Sequence, residues 1–280
     1  MKNIGLIGLG NIGKFYTKQL LQAGYPLTVL DIDRAKMDDA AGLGATTAAT
    51  PAEVFRSSDI VILSLPGSHV VEPLMDSVLD VLRPGQLVMD TSTCRPNTDI
   101  RCEKLCRERG VGFIDAPLTW RGPGQIIMVG GTAEHFEQAE EILKVISYKY
   151  KHVGEIGAGQ VLKMINQAIL AGQLAVHAEA VEMARKQDID PELLKNFLEF
   201  NIPNQLFTGE YEGGGHLALH YKDLGYLLEI AHDSGANIPI SSLVHEMFKT
   251  TRIYGEPNWL QIGIQTYYKR LNNDKGSFQA

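Results

Sequence analysis

The sequence predicts an α/β protein in two parts, with a mostly parallel sheet in the first half and helices in the second. Two observations support this prediction. Short apolar runs alternate with helical patterns up to about residue 155, and no convincing strand pattern follows. The length of 280 residues also corresponds to about two domains of ordinary size. We expect one domain at 1–156 and another at 157–280.

Short apolar runs in the first half are predicted to be β-strands. They are largely apolar rather than alternating, which is typical of strands buried on both faces of a sheet. Helical patterns between them favour parallel pairing with helical crossovers. The predicted strands are Ile4–Ile7, Leu27–Leu30, Ile60–Leu65, Leu87–Met89, Val111–Ile114 and Ile126–Val129, and the predicted helices are Lys14–Gln22, Pro51–Arg56, Val71–Leu82 and Asp99–Arg109.

A long helical pattern opens the second half, from about Gly157 to about Arg185. Apolar side chains occupy nearly every side of it, so we expect it to join the two domains or to pack against a second subunit. A homodimer or homotetramer is therefore expected. Glu179, Glu182 and Arg185 are predicted to form a solvated or subunit-facing stripe. Further helices are expected from Asp190-Pro191-Glu192 and at about Leu217–Asp233, Ser241–Arg252 and Trp259–Leu271, before a polar tail, Asn272–Ala280.

Charge and residue spacing exclude several kinds of partner. Lys and Arg number 26 against 33 Asp and Glu, a formal net charge of −7, and no long basic run is present to bind nucleic acid. His216 and His220 are four residues apart, as zinc ligands can be, but no third ligand is evident in the sequence. We therefore expect neither a nucleic-acid partner nor a metal.

Membrane and secretory classes are also disfavoured. No segment approaches the ~18 continuous apolar residues of a membrane span. The N-terminal apolar stretch is too short and too interrupted by glycine for a secretion signal. Three cysteines without a C-x-x-C pair suit a reducing compartment. We expect a cytoplasmic protein without a membrane partner.

A glycine-rich segment after the first strand indicates dinucleotide binding. It reads G-x-G-x-x-G, as Gly8-Leu9-Gly10-Asn11-Ile12-Gly13. It follows a buried strand directly and opens a helix, which is the context of this motif in a Rossmann domain. The first glycine permits a tight turn, the second admits a pyrophosphate, and the third lets helix and strand pack closely. The start of the helix then offers N–H groups to the phosphates.

An acidic residue after the second strand bears on the choice of cofactor. Asp31 follows the predicted strand and lies 18 residues after Gly13. A carboxylate in this position accepts hydrogen bonds from the adenosine ribose hydroxyls and repels a 2′-phosphate. Arg34 is counter-evidence, since a nearby arginine can accommodate that phosphate. NAD is the expected cofactor, with NADP as the alternative.

A lysine in an apolar stretch of the long helix is the candidate proton donor. Lys163 is flanked by Leu162 and Met164, and partial desolvation by such neighbours suits proton exchange near neutral pH. Asn166 and Gln167 follow three and four positions later, so they share its helix face and can present an amide to the same substrate oxygen. The alternative is a surface lysine whose stem packs on apolar neighbours.

Five segments spread over most of the chain carry a resemblance to a known family. They are the loop Gly8–Gly13, Asp90-Thr91-Ser92-Thr93 with Pro96, Asp115-Ala116-Pro117-Leu118-Thr119, Gly157–Gln167 and Tyr221-Lys222-Asp223-Leu224. In this order they resemble the β-hydroxyacid dehydrogenase family. That family includes 3-hydroxyisobutyrate dehydrogenases, tartronate semialdehyde reductases and shorter relatives of 6-phosphogluconate dehydrogenase.

The resemblance implies a Rossmann domain followed by an all-α domain, with catalysis in the cleft between them. Lys163 matches the family's general acid/base, which protonates the alkoxide as hydride arrives from the nicotinamide. Lys222 matches the lysine that closes the cleft near cofactor and substrate. Thr93 matches a residue beside the nicotinamide ribose, and Leu65-Pro66 match the loop beneath the adenosine half.

Two departures from the family pattern fall on expected substrate contacts. The family usually places a serine and two glycines where this sequence has Thr119, Trp120 and Arg121. A glycine-poor loop cannot form the same anion cradle. Arg121 can instead hold an acid group, with Trp120 beside a bulky or charged substituent of the substrate. The alternative is an exposed loop arginine. Gln167 replaces the second of two asparagines that usually follow the lysine, and its extra methylene puts the usual small-acid preference in doubt.

These residues predict an oxidoreductase that transfers hydride between a nicotinamide dinucleotide and a small hydroxyacid or semialdehyde. Two alternatives stay open. The altered segment 118–126 favours a different carbonyl or an imine, but imine reductases that resemble this family generally lack the lysine found here as Lys163. The other alternative is a non-catalytic dinucleotide sensor, which the retention of Lys163 and Lys222 disfavours.

Overall fold

The structure is a computed structural model that describes residues 1–214 and 216–272. The chain divides into two compact units, Met1–Lys163 and Met164–Ala280. A long helix, α7 (Ala158–Lys186), runs continuously through this division. The expected domain limits, 1–156 and 157–280, assign the whole of this helix to the second part, and they stay a prediction.

The N-terminal unit is an α/β sheet, as the sequence predicts. Its strands are β1 Ile4–Ile7, β2 Leu27–Leu30, β3 Thr46–Thr47, β4 Ile60–Leu63, β5 Leu87–Asp90, β6 Gly112–Asp115, β7 Leu118–Arg121, β8 Gly124–Gly130 and β9 Lys149–Gly154. In the order β3-β2-β1-β4-β5-β6 they pair in parallel. β7 and β8 form an antiparallel hairpin, and β9 pairs with β8 in parallel.

Helices bury both faces of this sheet, which explains its continuous apolar strands. Ile60 and Ile62 of β4 belong to one hydrophobic cluster, whereas the alternating residues Val61 and Leu63 belong to another. The helices of this unit are α1 Asn11–Gln22, α2 Arg34–Gly42, α3 Pro51–Ser57, α4 Ser68–Val78, α5 Pro96–Arg107 and α6 Ala133–Ile146, with a 3-10 turn at Leu79–Val81.

Several of these helices begin where the sequence supplies a start signal. The Thr50 hydroxyl accepts a hydrogen bond from the backbone N–H of Glu53, and Pro51 occupies the first turn of α3. The Thr132 hydroxyl caps α6 in the same way, and Pro96 opens α5. These local signals fix where the connections between strands turn into helix.

The sequence analysis does not predict β3, β7, β9, α2 or α6. β3 has two residues, too few for a pattern, and β9 carries charged residues at alternate positions because it is only partly buried. Residues 118–126 were expected to form a loop. They form the β7–β8 hairpin instead, since the backbone ladder between these strands does not depend on apolar side chains. α6 has a clear apolar face, so its signal was present in the sequence.

In the described residues of the C-terminal unit, the regular secondary structure is helical, apart from an isolated bridge between Glu212 and Trp259. The predictions at 217–233 and 241–252 are confirmed, whereas the helix predicted from Trp259 begins later, as a 3-10 turn. The tail prediction beyond Asn272 lies outside the described residues. The helices after α7 are α8 Leu193–Asn196, α9 Gln205–Thr208, α10 His216–Ser234, α11 Pro239–Tyr254 and α12 Gln265–Leu271, with the 3-10 turn at Gln261–Ile264. None of the described helices combines the length and apolar character required to cross a bilayer.

Glu182 does not belong to the exposed stripe predicted for α7. Its side chain is 2% exposed and accepts hydrogen bonds from Arg185 (2.6 Å) and Gln265 (2.8 Å). Arg185 in turn donates to the backbone oxygen of Phe207 at 2.8 Å. The pair therefore ties α7 to α9 and α12, while Glu179 is exposed as predicted.

Candidate active site

The turn between β1 and α1 has the space and the donors that a pyrophosphate requires. An added Cβ on Gly8 would overlap the Ser64 carbonyl oxygen, and one on Gly13 would overlap the Gly8 carbonyl oxygen. A Cβ on Gly10, by contrast, would meet no atom within 4 Å. α1 begins at this point without a side-chain cap, so its first N–H groups suit an anion. The turn therefore fits a nicotinamide dinucleotide, and it also contains the other predicted residues Leu9, Asn11 and Ile12.

Asp31 directly follows β2 and organises this turn. Its Oδ2 accepts a hydrogen bond from Leu9 N at 2.6 Å, and its Oδ1 accepts one from Asp33 N at 2.8 Å. Arg34, the residue that argued for NADP, pairs instead with Asp38 through Nε and Oδ1 at 3.0 Å on the exposed surface. The carboxylate thus lies where this fold binds the adenosine ribose.

The loops after β4 and β5 join each other near the same edge of the sheet. Leu65 N donates to Ser92 Oγ at 2.9 Å, and Ser92 N donates to Asp90 Oδ1 at 2.9 Å. Thr93 is partly exposed, although Ser92 and Cys94 on either side are buried. Since β1, β2, β4 and β5 are parallel neighbours, their carboxyl ends bring together the predicted cofactor-binding residues of this unit. Those residues are Gly8–Gly13, Asp31, Leu65, Pro66 and Thr93.

Asp115, at the end of β6, caps the start of α7. Its two carboxylate oxygens accept hydrogen bonds from Gly157 N (2.6 Å) and Gln160 N (2.8 Å). A Cβ on Gly159 would lie 2.6 Å from Asp115 Oδ2, so only glycine allows this approach. Burial raises the pKa of Asp115 to about 6, although the two N–H donors oppose the shift. Sequence reasoning gave Asp115 no role; the signal was an acidic residue ending a buried strand.

Two further buried carboxyl groups lie beside this cap. Burial raises the pKa of Asp90 and, together with the charges of Asp90 and Asp115, raises that of Asp99 well above its usual range. Two neighbouring ionised carboxylates repel each other, which favours a proton shared between Asp90 and Asp99. Burial also raises the pKa of the Cys94 thiol, so this cysteine is no nucleophile. Among the described residues, no three His, Cys, Asp or Glu side chains are grouped as metal ligands.

Lys163 lies on the second turn of α7 and its side chain is buried, with 8% exposure. One turn later, Asn166 Nδ2 donates to Gln167 Oε1 at 3.2 Å, and Gln167 Nε2 donates to Asp223 Oδ2 at 2.7 Å. Lys222 Nζ on α10 lies 3.3 Å from Asp223 Oδ1. Asp223, to which sequence reasoning gave no separate role, thus orients both the predicted amide and the predicted lysine of the C-terminal unit.

The predicted substrate residues Thr119, Trp120 and Arg121 lie on β7. Trp120 is 51% exposed, and its ring packs edge-on against Phe15 of α1, with 5.7 Å between the ring centroids. Arg121 is exposed, and its Nη1 lies 3.4 Å from the Trp120 carbonyl oxygen. The hairpin thus presents a tryptophan and an arginine on a strand that contacts the helix of the glycine-rich turn.

Two family models cover most of the chain. Residues 3–154 match the NAD binding domain of 6-phosphogluconate dehydrogenase. Residues 157–259 match the NAD-binding model of NADP-dependent 3-hydroxyisobutyrate dehydrogenase. The fold and these matches define the class: an NAD(P)-dependent oxidoreductase with a Rossmann domain and a helical C-terminal domain.

Relatives of known activity place the chain within this class. It is 29% identical to 2-(hydroxymethyl)glutarate dehydrogenase of Eubacterium barkeri over 270 aligned residues, and this alignment covers 90% of each chain. It is 31% identical over 271 residues to the mitochondrial 3-hydroxyisobutyrate dehydrogenase of Drosophila melanogaster, covering 89% of this chain and 84% of the relative. The solved 3-hydroxyisobutyrate dehydrogenase of Mycobacterium tuberculosis with L-serine superposes with a TM-score of 0.87 at 24% identity, over 96% of this chain and 99% of that one. The chain belongs to the β-hydroxyacid dehydrogenase family.

Proposed function

We propose that the protein interconverts a small hydroxyacid and its semialdehyde, with NAD as the preferred cofactor and Lys163 as the general acid/base. The observation that carries this proposal is a buried lysine one helical turn before an amide that a buried carboxylate holds in place. Residues 1–156 serve as the dinucleotide-binding domain, and residues 157–280 bind substrate and a second subunit.

The chemistry requires one proton to move at Lys163 Nζ. During reduction the ammonium group gives its proton to the carbonyl oxygen as the alkoxide forms, and during oxidation the neutral amine takes the hydroxyl proton. The nicotinamide, when bound, supplies or accepts the hydride. Gln167, whose amide Asp223 orients, directs its other N–H to a substrate oxygen, and Asn166 fixes the Gln167 carbonyl. Lys222 adds positive charge that suits an acidic substrate.

Replacement of Lys163 by alanine tests this mechanism. Loss of a positioned general acid lowers turnover by about 10²–10⁴-fold, whereas NAD affinity, measured by calorimetry, is expected to stay unchanged. Lys186→Ala, at the exposed end of the same helix, is the control and should keep both properties. Wild-type protein that binds NADH but reduces no semialdehyde or keto acid in a panel of small substrates would support the sensor alternative instead.

Arg121 is proposed to hold the acid group of the substrate, with Thr119 and Trp120 beside it. The substrate of one relative, 2-(hydroxymethyl)glutarate, carries a second carboxylate that an arginine of this kind can bind. Loss of a hydrogen bond to a charged group costs about 1.5–3 kcal/mol, so Arg121→Ala should raise KM for an acidic substrate by roughly 10–100-fold. Arg107→Ala, an exposed arginine on α5, is the control. An unchanged KM in Arg121→Ala removes this residue from the site.

We further propose that a second copy of this chain covers one face of α7. Leu162, Ile169, Val176 and Met183 recur every seven residues on this helix and are between 39% and 65% exposed. A seven-residue apolar repeat is the pattern that packs one helix against another. Ile169→Glu combined with Val176→Glu should convert a dimer or tetramer to monomers in analytical ultracentrifugation; an unchanged mass would contradict this interface.

The cytoplasm is the proposed location. Cys94, Cys102 and Cys106 are all buried free thiols, and persistent free thiols are typical of a reducing compartment. Fractionation of cells that produce the protein at native levels tests this assignment, which recovery in a membrane or secreted fraction would contradict.

A further inference from the structure

Gln160, on the first turn of α7, bonds the backbone on both sides of Thr93. Its Oε1 accepts a hydrogen bond from Cys94 N at 3.1 Å, and its Nε2 donates to the Ser92 carbonyl oxygen at 3.0 Å. These are the two peptide groups that flank Thr93. One buried carboxamide therefore fixes this residue from both sides, as a neighbouring strand would fix it.

Gln160 is itself rigidly placed. Its side chain is fully buried, and its backbone N–H donates to Asp115 Oδ2 at 2.8 Å. Lys163 follows three positions later, on the same side of the helix. The amide thus connects the loop of Thr93 to the helical turn that precedes the proton donor.

We propose that Gln160 is a positioning residue that holds Thr93 at a fixed place relative to Lys163, so that the nicotinamide end of the cofactor binds within reach of the proton donor. This inference rests on the place beside the nicotinamide ribose that the family resemblance implies for Thr93, and on the proposed role of Lys163. It predicts that Gln160 contributes to binding of the nicotinamide half of the dinucleotide and contributes nothing to binding of the adenosine half.

A second buried glutamine provides a matched control at the opposite end of β5. Gln86 precedes this strand, whereas Thr93 follows it. Gln86 Oε1 accepts from Arg83 N at 2.7 Å, and its Nε2 donates to the carbonyl oxygens of Phe55 and Ser58, each at 2.7 Å. Its loss removes the same kind of buried amide, so it measures the effect of a structural role alone.

Calorimetric titration of wild type, Gln160→Met and Gln86→Met with NADH and with ADP tests the proposal. ADP lacks the nicotinamide and its ribose. We expect Gln160→Met to weaken NADH binding about tenfold and to leave ADP binding unchanged, whereas Gln86→Met keeps both affinities even if its melting temperature falls. Equal weakening of both ligands in Gln160→Met, or a selective loss of NADH in Gln86→Met, would overturn the proposal.

Gln160→Glu preserves the volume of the side chain and gives an independent test. In its protonated form the new carboxyl group can accept from Cys94 N and donate to the Ser92 oxygen, but in its ionised form it cannot donate. The groups that face it are Asp90, Asp99 and Asp115, with Lys163 one turn away, and the three carboxyl groups favour the protonated form.

The ratio of NAD to ADP affinity in Gln160→Glu should therefore equal the wild-type ratio at pH 6.5 and fall below it at pH 9. A ratio equal to that of wild type at both pH values would overturn the proposal. No substrate is present in either titration. A negative result consequently leaves the proposed hydroxyacid reaction untouched, and failure of that reaction leaves this test intact.

Discussion

The Asp31 carboxylate organises the glycine-rich turn through its two oxygens, and in the proposed function it also selects the cofactor. It fixes the Leu9 N–H in the glycine-rich turn, while Arg34 is engaged by Asp38. A 2′-phosphate approaching this position meets a negative charge, and the arginine that favoured NADP is held in a surface ion pair. The proposed preference for NAD therefore depends on the charge of one side chain.

Asp31→Asn is expected to shift the ratio of kcat/KM for NADP over NAD upward by about 10–100-fold, because the neutral amide no longer repels the 2′-phosphate. Its oxygen still accepts one backbone N–H, so the turn is retained. Steady-state kinetics with each cofactor measure the ratio. Asp33→Asn, an exposed helix cap two residues away, should leave it unchanged. A ratio for Asp31→Asn equal to the wild-type ratio would show that another group selects the cofactor.

Sequence spacing identifies residues of this site only where they act through one motif or one helix. Asp31 could be identified because it directly follows a predicted strand, and Lys163 because it lies in an apolar stretch of a predicted helix. Gln167 stands out in the sequence mainly because it replaces an asparagine of the family pattern. Its bond to Asp223 joins positions 56 apart, and Gln160 reaches Cys94 across 66 positions. No periodicity along the chain reports such contacts between elements.

At the scale of elements, the β1–α1 turn separates Gly13, a glycine needed for packing, from Gly10, a glycine proposed to admit the ligand. Gly13→Ala introduces a Cβ that would overlap the Gly8 carbonyl oxygen, whereas Gly10→Ala introduces one into open space. Gly10 also has an ordinary backbone conformation, with φ −63° and ψ −166°, so alanine is tolerated there without strain. The two substitutions should therefore change different properties: Gly10→Ala the affinity for NAD, and Gly13→Ala the stability of the fold.

Gly10→Ala is expected to keep the wild-type melting temperature and to weaken NAD binding by about tenfold or more, because the methyl group occupies the approach of the pyrophosphate. Gly13→Ala should lower the free energy of unfolding by about 1–3 kcal/mol, a typical cost of overpacking. Thermal unfolding and NAD titration of both variants separate these effects. Unchanged NAD affinity in Gly10→Ala would show that the ligand does not pass over this turn.

The same element scale shows which strands could be predicted. β1, β4 and β5 are apolar because the sheet is covered on both faces, and that burial left a direct trace in composition. The strand β7 has intermediate and exposed residues only. Its pairing with β8 comes from backbone hydrogen bonds and from the turn at Gly122 and Pro123. The polar side chains of this segment favour a loop in the sequence analysis, but side-chain polarity does not determine whether its backbone pairs.

For the molecule as a whole, three buried carboxyl groups make stability depend on pH. The pKa values of Asp90, Asp99 and Asp115 are all raised in the folded protein, chiefly by burial. The folded state therefore binds more protons than the unfolded state above pH 4, and stability falls as pH rises. For Asp115, with a pKa of about 6, this loss amounts to roughly 3 kcal/mol and is complete slightly above pH 6.

Asp99→Asn isolates the member of this cluster whose pKa lies well above the usual range. The amide has the shape of the protonated acid, keeps a donor for Asp90 and requires no proton, so the penalty of holding a proton at high pH disappears. Urea denaturation should show the variant to be more stable than wild type at pH 8, with the difference shrinking toward pH 4.5, because the unfolded carboxyl group then begins to take up the proton that the folded one already holds. Asp80→Asn, an exposed residue after α4, should leave the pH profile unchanged. A variant that is less stable than wild type by the same amount at both pH values would mean that Asp90 and Asp99 do not share a proton.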